Sequence, residues 1–150
     1  MIKKIRKQPV YKKGTVYHPE WIHTDYMEFW LNDFTNDGSL LNVCSGQSML
    51  GQVRVDNDPE SNRTMDGDLF NIQELFKPKS FDYVYCDPDF KFYTSGDNRN
   101  RWQFELFKLC RIALITRRPK VTINMPSKWH DYVILEDTRP SFSILRIDYK

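Results

Sequence analysis

Four short segments between residues 40 and 86 are predicted to be strands, and each ends abruptly in small or acidic residues. They span residues 40–44, 53–56, 63–66 and 81–86, and the third of them has the weakest strand pattern. The fourth belongs to the stretch FDYVYCDPDF, in which two carboxylates flank a proline although a turn needs only one such residue. Because ligands of open α/β sheets bind beyond the carboxyl ends of the strands, these four endings are expected to lie together at a site.

Helical patterns occur before, between and after these segments. Apolar residues at spacings of three and four predict an amphipathic helix over residues 19–34 and a second helix over residues 102–115. Residues 71–76 are expected to form a helical turn. The alternation of strands with helices predicts an open, mostly parallel, Rossmann-like α/β sheet with helices on both faces.

The end of the chain has a different pattern. Residues 120–125 predict one more strand, ended by a proline. Residues 132–135 and 142–149 predict two strands around the turn-forming segment 137–140. The sequence therefore predicts a C-terminal antiparallel hairpin added to the parallel sheet.

The overall composition is that of an ordinary globular chain. The 150 residues are 40% hydrophobic and 28% charged, which suits a single domain over residues 1–150. No apolar run is long enough to cross a bilayer, and the N-terminus lacks the apolar segment of a secretory signal. We therefore expect a cytoplasmic protein without a membrane partner. The three cysteines (Cys44, Cys86 and Cys110) form no CxxC pair and are interpreted as small buried side chains.

Positive charge is concentrated at the N-terminus, although the formal net charge is only +2. The basic residues are Lys3, Lys4, Arg6, Lys7, Lys12 and Lys13, and no acidic residue precedes Glu20. A block of this kind, here an arm over residues 1–17, can contact the phosphates of a nucleic acid, or it can be a solvated tail.

The strand endings have the chemistry of a nucleoside site. A turn of small residues over 44–48 lets the backbone approach a ligand closely. Asp56, at the end of the second segment, can accept hydrogen bonds from both hydroxyls of a ribose. Asp68 follows the third segment and can accept a hydrogen bond from an exocyclic amine.

In these motifs the sequence resembles the class I S-adenosylmethionine-dependent methyltransferases. LLNVCSGQS resembles their glycine-rich motif, VRVDND their acidic second-strand end, and GDLFNI the segment that contacts the cofactor adenine. FDYVYCDPDF is similar to the fourth-strand motif, most of all to the DPPY or DPPF form of amino-methyltransferases that act on adenine. The resemblance covers about residues 40–90 and implies the fold, S-adenosylmethionine as cofactor, and methyl transfer.

The resemblance also implies roles for individual residues. The cofactor-binding residues would be Asn42, Cys44, Ser45, Gly46, Ser48, Asp56, Asp68 and Leu69. In the fourth-strand motif, Asp87 would accept from the target amine, Pro88 would shape the turn, and Phe90 would stack on an extruded base. Asp89 stands where the family has a second proline, and the resemblance assigns it no role.

The first crossover departs from the family pattern. Only Gly46 lies in the core of the glycine-rich turn, and only residues 46–52 separate Ser45 from Val53. A parallel crossover normally takes about a dozen residues and contains a helix. The spacing therefore predicts that the first crossover helix is shortened or missing.

Several functions remain open at this point. The favoured hypothesis is methylation of an exocyclic amine of adenine in DNA or RNA, with a protein partner as a possible source of target recognition. The alternatives are methylation of a protein or small molecule, and a non-catalytic cofactor-binding module with the same fold. The spacing GxGxxG of dinucleotide-binding dehydrogenases is absent. His18, His23 and His130 are scattered, so no metal site is predicted.

Overall fold

An eight-stranded sheet forms the centre of the computed structural model, which describes residues 2–6, 25–88, 101–117, 125–136 and 143–150. The strands are β1 (Ile2–Arg6), β2 (Leu40–Val43), β3 (Val53–Asp56), β4 (Met65–Asp66), β5 (Tyr83–Cys86), β6 (Ile112–Arg117), β7 (Trp129–Glu136) and β8 (Ser143–Tyr149). The helices are α1 (Asp25–Phe34), α2 (Ile72–Leu75) and α3 (Arg101–Lys108), and a 3-10 turn (Leu69–Asn71) precedes α2. Within these described ranges, no helix is long and apolar enough to cross a membrane.

The strands lie in the order β1-β7-β8-β6-β5-β2-β3-β4. β8 is antiparallel to both of its neighbours, and the other neighbouring pairs are parallel. From β2 the chain continues to β3 and β4 on one side, and from β5 it continues to β6 on the other. The strand order thus reverses between β2 and β5, where open α/β sheets bind ligands. The predicted mostly parallel, Rossmann-like sheet with an antiparallel pair at its C-terminus is confirmed.

Different helices cover the two faces of the sheet, because successive side chains of a strand point to opposite faces. On one side, the α3 face, Val84 of β5 packs in a cluster with Trp102 of α3. On the other side, the α1 face, Tyr85 of β5 packs in a cluster with Leu31 of α1. All four side chains are almost fully buried, so each face has its own core.

The connection from β2 to β3 contains no helix. Residues 44–52 are all described, and none of them is helical, as the short spacing predicts. The shortness of the strands makes such a crossover possible: four residues span only ~13 Å, whereas nine extended residues reach roughly 30 Å. On the α1 face, the neighbouring part of the sheet is covered by α1, which precedes β2 in the chain and packs there through Leu31.

One predicted helix is too long. The helix expected over residues 102–115 ends at Lys108, and residues Ile112–Arg117 form β6, paired with β5 and β8. A fully buried central strand is a continuous apolar run, and periodicity alone does not distinguish such a run from a buried helix. Ala113, Leu114 and Ile115 are fully buried in β6, which explains the error.

The N-terminal segment contains a strand that the sequence did not predict. Residues Ile2–Arg6, assigned above to a basic arm or a solvated tail, form β1 and pair in parallel with β7. Lys3, Lys4 and Arg6 therefore belong to an edge strand of the sheet. Lys7, Lys12 and Lys13 lie outside the described residues, as do the predicted helix start at 19–24 and residues 120–124 of a predicted strand.

A buried ion pair lies on β8. Arg146 Nε donates to both carboxylate oxygens of Asp148, at 2.8 and 2.9 Å, and Arg146 Nη2 lies 2.7 Å from Asp148 Oδ1. Ser127 Oγ donates to the same carboxylate at 2.8 Å. Arg146 is 5% exposed and Asp148 is fully buried. Because an unpaired buried charge is strongly destabilising, Arg146 and Asp148 each stabilise the charge of the other.

Removing one member of this pair is expected to destabilise the fold severely. Arg146→Met leaves the Asp148 carboxylate buried without its cation, and the free energy of unfolding should fall by about 3–5 kcal/mol. The double variant Arg146→Met with Asp148→Leu should recover most of that loss. Lys108→Met, which breaks the exposed pair with Glu105, is the matched control and should cost less than ~1 kcal/mol. Urea unfolding measures all three, and equal losses for the two single variants would contradict the prediction.

Candidate functional site

The turn after β2 has an irregular backbone. Cys44 and Gly46 have positive φ angles of 56° and 53°, a backbone region that residues other than glycine rarely adopt. Ser45 N–H donates to Val55 O at 3.3 Å, and Ser48 N–H donates to Ser45 O at 3.0 Å. The turn is thereby attached to β3 although no helix separates the two strands.

Asp56 braces this turn from the end of β3. Its Oδ2 accepts from Gly46 N–H and its Oδ1 accepts from Asp58 N–H, both at 2.8 Å. The carboxylate thus connects the turn after β2 with the turn after β3. Each carboxylate oxygen has a second lone pair, so Asp56 can also accept from a ligand hydroxyl.

A second brace comes from the loop that follows Asp58. Asn62 N–H donates to Gly46 O at 2.8 Å, and Asn62 Nδ2 donates to Gln47 O at 2.9 Å. In return, Gln47 Nε2 donates to Glu60 O at 2.7 Å. Backbone groups of the turn are therefore bonded to a neighbouring loop, which makes the turn a defined element of the fold.

On the α1 face, Ser48 collects the hydrogen bonds of the turn. Its hydroxyl donates to the Glu28 carboxylate of α1, and it accepts from Leu50 N–H at 3.1 Å and from Asn42 Nδ2 at 3.3 Å. Asn42 Nδ2 also donates to Leu50 O at 3.2 Å. One donated and two accepted bonds use the full capacity of a hydroxyl, so Ser48 holds α1, β2 and the turn together.

Two polar atoms of this region remain without partners. Asn42 Oδ1 and Ser45 Oγ are buried, and neither has a hydrogen-bond partner within the part of the chain that the structure describes. An unsatisfied buried polar atom costs about 1–3 kcal/mol. A polar ligand group that reaches the turn would remove this cost, which favours the turn as a binding element.

Asp87 follows β5 directly and lies on the α1 face. Its side chain is 7% exposed, and its Oδ1 accepts a hydrogen bond from the hydroxyl of the fully buried Thr116 of β6. Pro88 is buried next to it, whereas Asp89 and Phe90 lie outside the described residues. The structure thus places one carboxylate of the FDYVYCDPDF stretch inside the fold, oriented by the neighbouring strand.

The thiol of Cys86 lies among the charged groups of this edge. Burial is the largest cause that raises the pKa of Cys86 well above its usual range, followed by its interaction with the nearby Cys44 thiol. The negative charges of Asp87 and Asp56 raise the pKa of Cys86 further. The endings of β2, β3 and β5 are therefore close enough to interact electrostatically, as the strand order requires.

The ending of β4 leads into a cleft. Asp68 Oδ1 accepts from Phe70 N–H at 2.8 Å and begins the 3-10 turn, while Leu69 is 4% exposed and packs in the core of the α3 face. A cleft of about 320 Å³ lies beside this turn. It is lined by Phe70, Asn71, Gln73, Arg101, Trp102 and Glu105, which offer aromatic, amide and charged groups.

The structure assembles most of the predicted site residues at one edge of the sheet. Asn42 lies within β2, next to its last residue, and the others end or follow the strands β2, β3, β4 and β5: Cys44, Ser45, Gly46, Ser48, Asp56, Asp68, Leu69, Asp87 and Pro88. Several residues that contact them were not predicted, among them Asn62, which donates to Gly46 O. Glu28 belongs to α1, and no sequence signal marks its contact with the turn; Thr116 ends an apolar β-branched run that could have been interpreted as a strand. Among the described residues, no group of three His, Cys, Asp or Glu side chains could hold a metal ion.

Comparisons with known proteins identify the fold. The sequence matches no protein-family model, and no significant match was found among curated proteins. Among solved structures, WbdD is similar with a TM-score of 0.63 and 11% identity over 88% of this chain, which spans only 42% of WbdD. The yhhF protein of Escherichia coli, a proposed methyltransferase, is similar with a TM-score of 0.56 and 11% identity over 85% of this chain and 86% of its own. Thermoplasma acidophilum 1320 has a TM-score of 0.50 and 11% identity over 81% and 86%. The chain therefore has the Rossmann-like fold of class I methyltransferases.

Loss of the Asp56 carboxylate is expected to destabilise the ligand-free protein. Asp56→Ala leaves the N–H groups of Gly46 and Asp58 without their acceptor, so unfolding in urea should require about 1–3 kcal/mol less. Asp66→Ala is the matched control, because the Asp66 side chain is 76% exposed and, within the described residues, is bonded to Arg63 alone. The control should lose less than ~1 kcal/mol. If both variants unfold alike, Asp56 does not brace the turn.

Proposed function

We propose that this protein is an S-adenosylmethionine-dependent methyltransferase that acts on an exocyclic amine of adenine in DNA or RNA. The observation that carries the proposal is the position of Asp87. It is a buried carboxylate at the point where the strand order reverses, held by Thr116 and adjacent to the braced turn after β2. Amine methylation needs an acceptor for the amine hydrogens at such a place, shielded from water.

The residues around the turn suit the proposed cofactor. Asp56 retains lone pairs for the ribose hydroxyls, and Asp68 with Leu69 begins the segment that would contact the adenine. The unpartnered atoms Asn42 Oδ1 and Ser45 Oγ offer polar partners at the turn. Cys44, Gly46 and Ser48 complete the set by shaping the turn itself. When bound, the cofactor supplies an electrophilic methyl group on its sulfonium.

The chain itself has a limited chemical task in this reaction. Asp87 accepts a hydrogen bond from the target amine and orients its nitrogen, while Thr116 keeps the carboxylate in place. Because a carboxylate oxygen has two lone pairs, accepting from Thr116 does not exhaust Asp87. Pro88 limits the backbone freedom after Asp87, and Phe90 is proposed as the stacking partner of the base.

The placement of the basic residues supports a nucleic acid as the substrate. β1 runs parallel to β7, so its carboxyl end at Arg6 lies on the same edge of the sheet as Asp87. β1 is four strands from β5, roughly 19 Å away at the usual strand spacing. Basic groups at that distance would contact phosphates away from the target base.

A non-catalytic cofactor-binding module is the second candidate. The observation in its favour is that both oxygens of Asp56 already accept backbone hydrogen bonds, and that no crossover helix follows β2. Methyl transfer to a protein or small molecule remains the alternative within the enzyme class, because the cofactor residues do not depend on the acceptor.

Two experiments test the proposal one after the other: calorimetry measures cofactor binding, and a transfer assay measures methylation. The protein should bind S-adenosylmethionine, and absence of binding at millimolar cofactor would contradict every cofactor-dependent function. Transfer of a labelled methyl group should occur to an adenine-containing oligonucleotide and not to a protein lysate. Binding without transfer to either acceptor would favour the non-catalytic module.

Replacing Asp87 should abolish catalysis and leave cofactor binding almost unchanged. We expect Asp87→Ala to reduce the transfer rate by at least ~10²-fold, because it removes the acceptor that orients the amine. Asp66→Ala serves as the control, since Asp66 is an exposed carboxylate at the same edge. Full activity of Asp87→Ala would show that the role assigned to Asp87 is wrong.

Thr116→Val tests whether orientation of Asp87 matters. The change keeps the shape of the side chain and removes the hydroxyl that donates to Asp87, so kcat should fall about 10-fold while KM stays the same. Thr64→Val is the matched control, because the Thr64 hydroxyl is exposed and bonds only to Arg54 among the described contacts. A loss of kcat equal to that of the control would exclude a positioning role for Thr116.

A further inference from the structure

Two thiols meet where β2 and β5 end side by side. Val43, the last residue of β2, is paired in register with Cys86, the last residue of β5. Cys44 follows Val43 directly and packs against the same buried cluster that contains Cys86, close enough for its thiol to raise the pKa of Cys86. Both cysteines are free thiols in the structure.

The backbone of Cys44 directs its side chain towards this contact. If β2 continued regularly, Cys44 would point to the α1 face, opposite to Val43. Cys44 instead packs against the core of the α3 face, to which Cys86 belongs. Its φ of 56° accounts for this change of direction, at an energetic cost for a residue that has a Cβ.

We propose that Cys44 and Cys86 are a redox modification site that forms a reversible disulfide across the ends of β2 and β5. The geometric basis is the pairing of neighbouring parallel strands, which brings the two side chains into contact on one face. The proposal concerns residues that the proposed methyl transfer does not use as reacting groups, and it stands independently of that function.

The two thiols differ in access, which sets the order of the reaction. Cys44 is half-buried, whereas Cys86 is completely buried. A peroxide therefore reaches Cys44 first and converts its thiol to a sulfenic acid, with one molecule of water as the product. The Cys86 sulfur then attacks Cys44 Sγ, the S–O bond breaks, and the Cys86 proton leaves with that oxygen as a second water. Two electrons pass from the thiols to the peroxide.

The second step is expected to be the slow one. Burial raises the pKa of the Cys86 thiol well above its usual range, so very little thiolate is present at neutral pH. The thiolate is the reactive form in thiol–disulfide chemistry, so Cys86 should attack slowly although Cys44 lies beside it. The sulfenic acid at Cys44 should consequently live long enough to be trapped.

The third cysteine provides an internal control. Cys110 is buried after α3, and its thiol donates weakly to Leu106 O and Phe107 O at 3.5 and 3.8 Å. Cys110 belongs to the same core, but it lies two residues before β6, whose first residue pairs with Tyr83 at the start of β5. It is therefore at the opposite edge of the sheet from the ends of β2 and β5. Oxidation of the folded protein should leave it untouched.

Mass spectrometry of the full chain after treatment with hydrogen peroxide tests the proposal. The intact chain should lose the mass of two hydrogen atoms, and a digest without reductant should contain one linked pair of peptides, those with Cys44 and Cys86. Dithiothreitol should restore both thiols. Cys110→Ser should form the same link at an unchanged rate, whereas Cys44→Ser should lose it completely.

Cys86→Ala gives the second, independent readout. In this variant the sulfenic acid at Cys44 has no partner, so its trapping by dimedone should rise severalfold relative to the natural chain. A link that contains Cys110, a link between two chains, or direct over-oxidation of Cys44 without any link would each overturn the proposal. Equal dimedone trapping in Cys86→Ala and in the natural chain would do so as well.

Discussion

The parallel hydrogen bonding of β2 with β5 is the constraint on which the rest of this structure depends. Its register sets Val43 opposite Cys86, and therefore brings the turn after β2 and Asp87 after β5 to the same level of the sheet. The other strands extend from this pair in opposite directions. Every group of the candidate site is placed relative to these two strands, either by following one of them or by bonding to a residue that does.

The helix-free crossover changes how the site is supported. In a doubly wound fold, the first crossover helix normally packs behind the ligand turn and presents its N-terminus to it. Here that support is replaced by side chains: the Asp56 carboxylate from β3, Asn62 from the following loop, and Glu28 from α1. A Cβ at Gly51 would lie 3.0 Å from Leu40 O, so the returning chain passes β2 at a distance that favours glycine.

The sequence predicted the ends of the central strands better than it predicted the elements around them. β3 has the predicted bounds because an acidic turn follows it directly, and β5 ends at the predicted residue. β2 ends one residue earlier than predicted, because Cys44 has a positive φ. β6 was not predicted, because its buried apolar run fits a helix as well as a strand. Thr116 belongs to β6 and for this reason was not recognised as a candidate site residue. Glu28 is a different case, since periodicity assigns its helix but contains no information about a contact twenty residues away in the chain.

The hydrogen bond between Ser48 and Glu28 has a consequence for the order of folding. A turn supported by its own crossover helix could form early, because its stabilising contacts are local in the chain. This turn obtains part of its support from a helix that precedes β2, and the two bonded residues are separated by 20 positions. Closure of that loop must come first, so the turn reaches its final conformation only after α1 has docked on the sheet. We therefore expect the candidate site to be completed only at a late stage of folding.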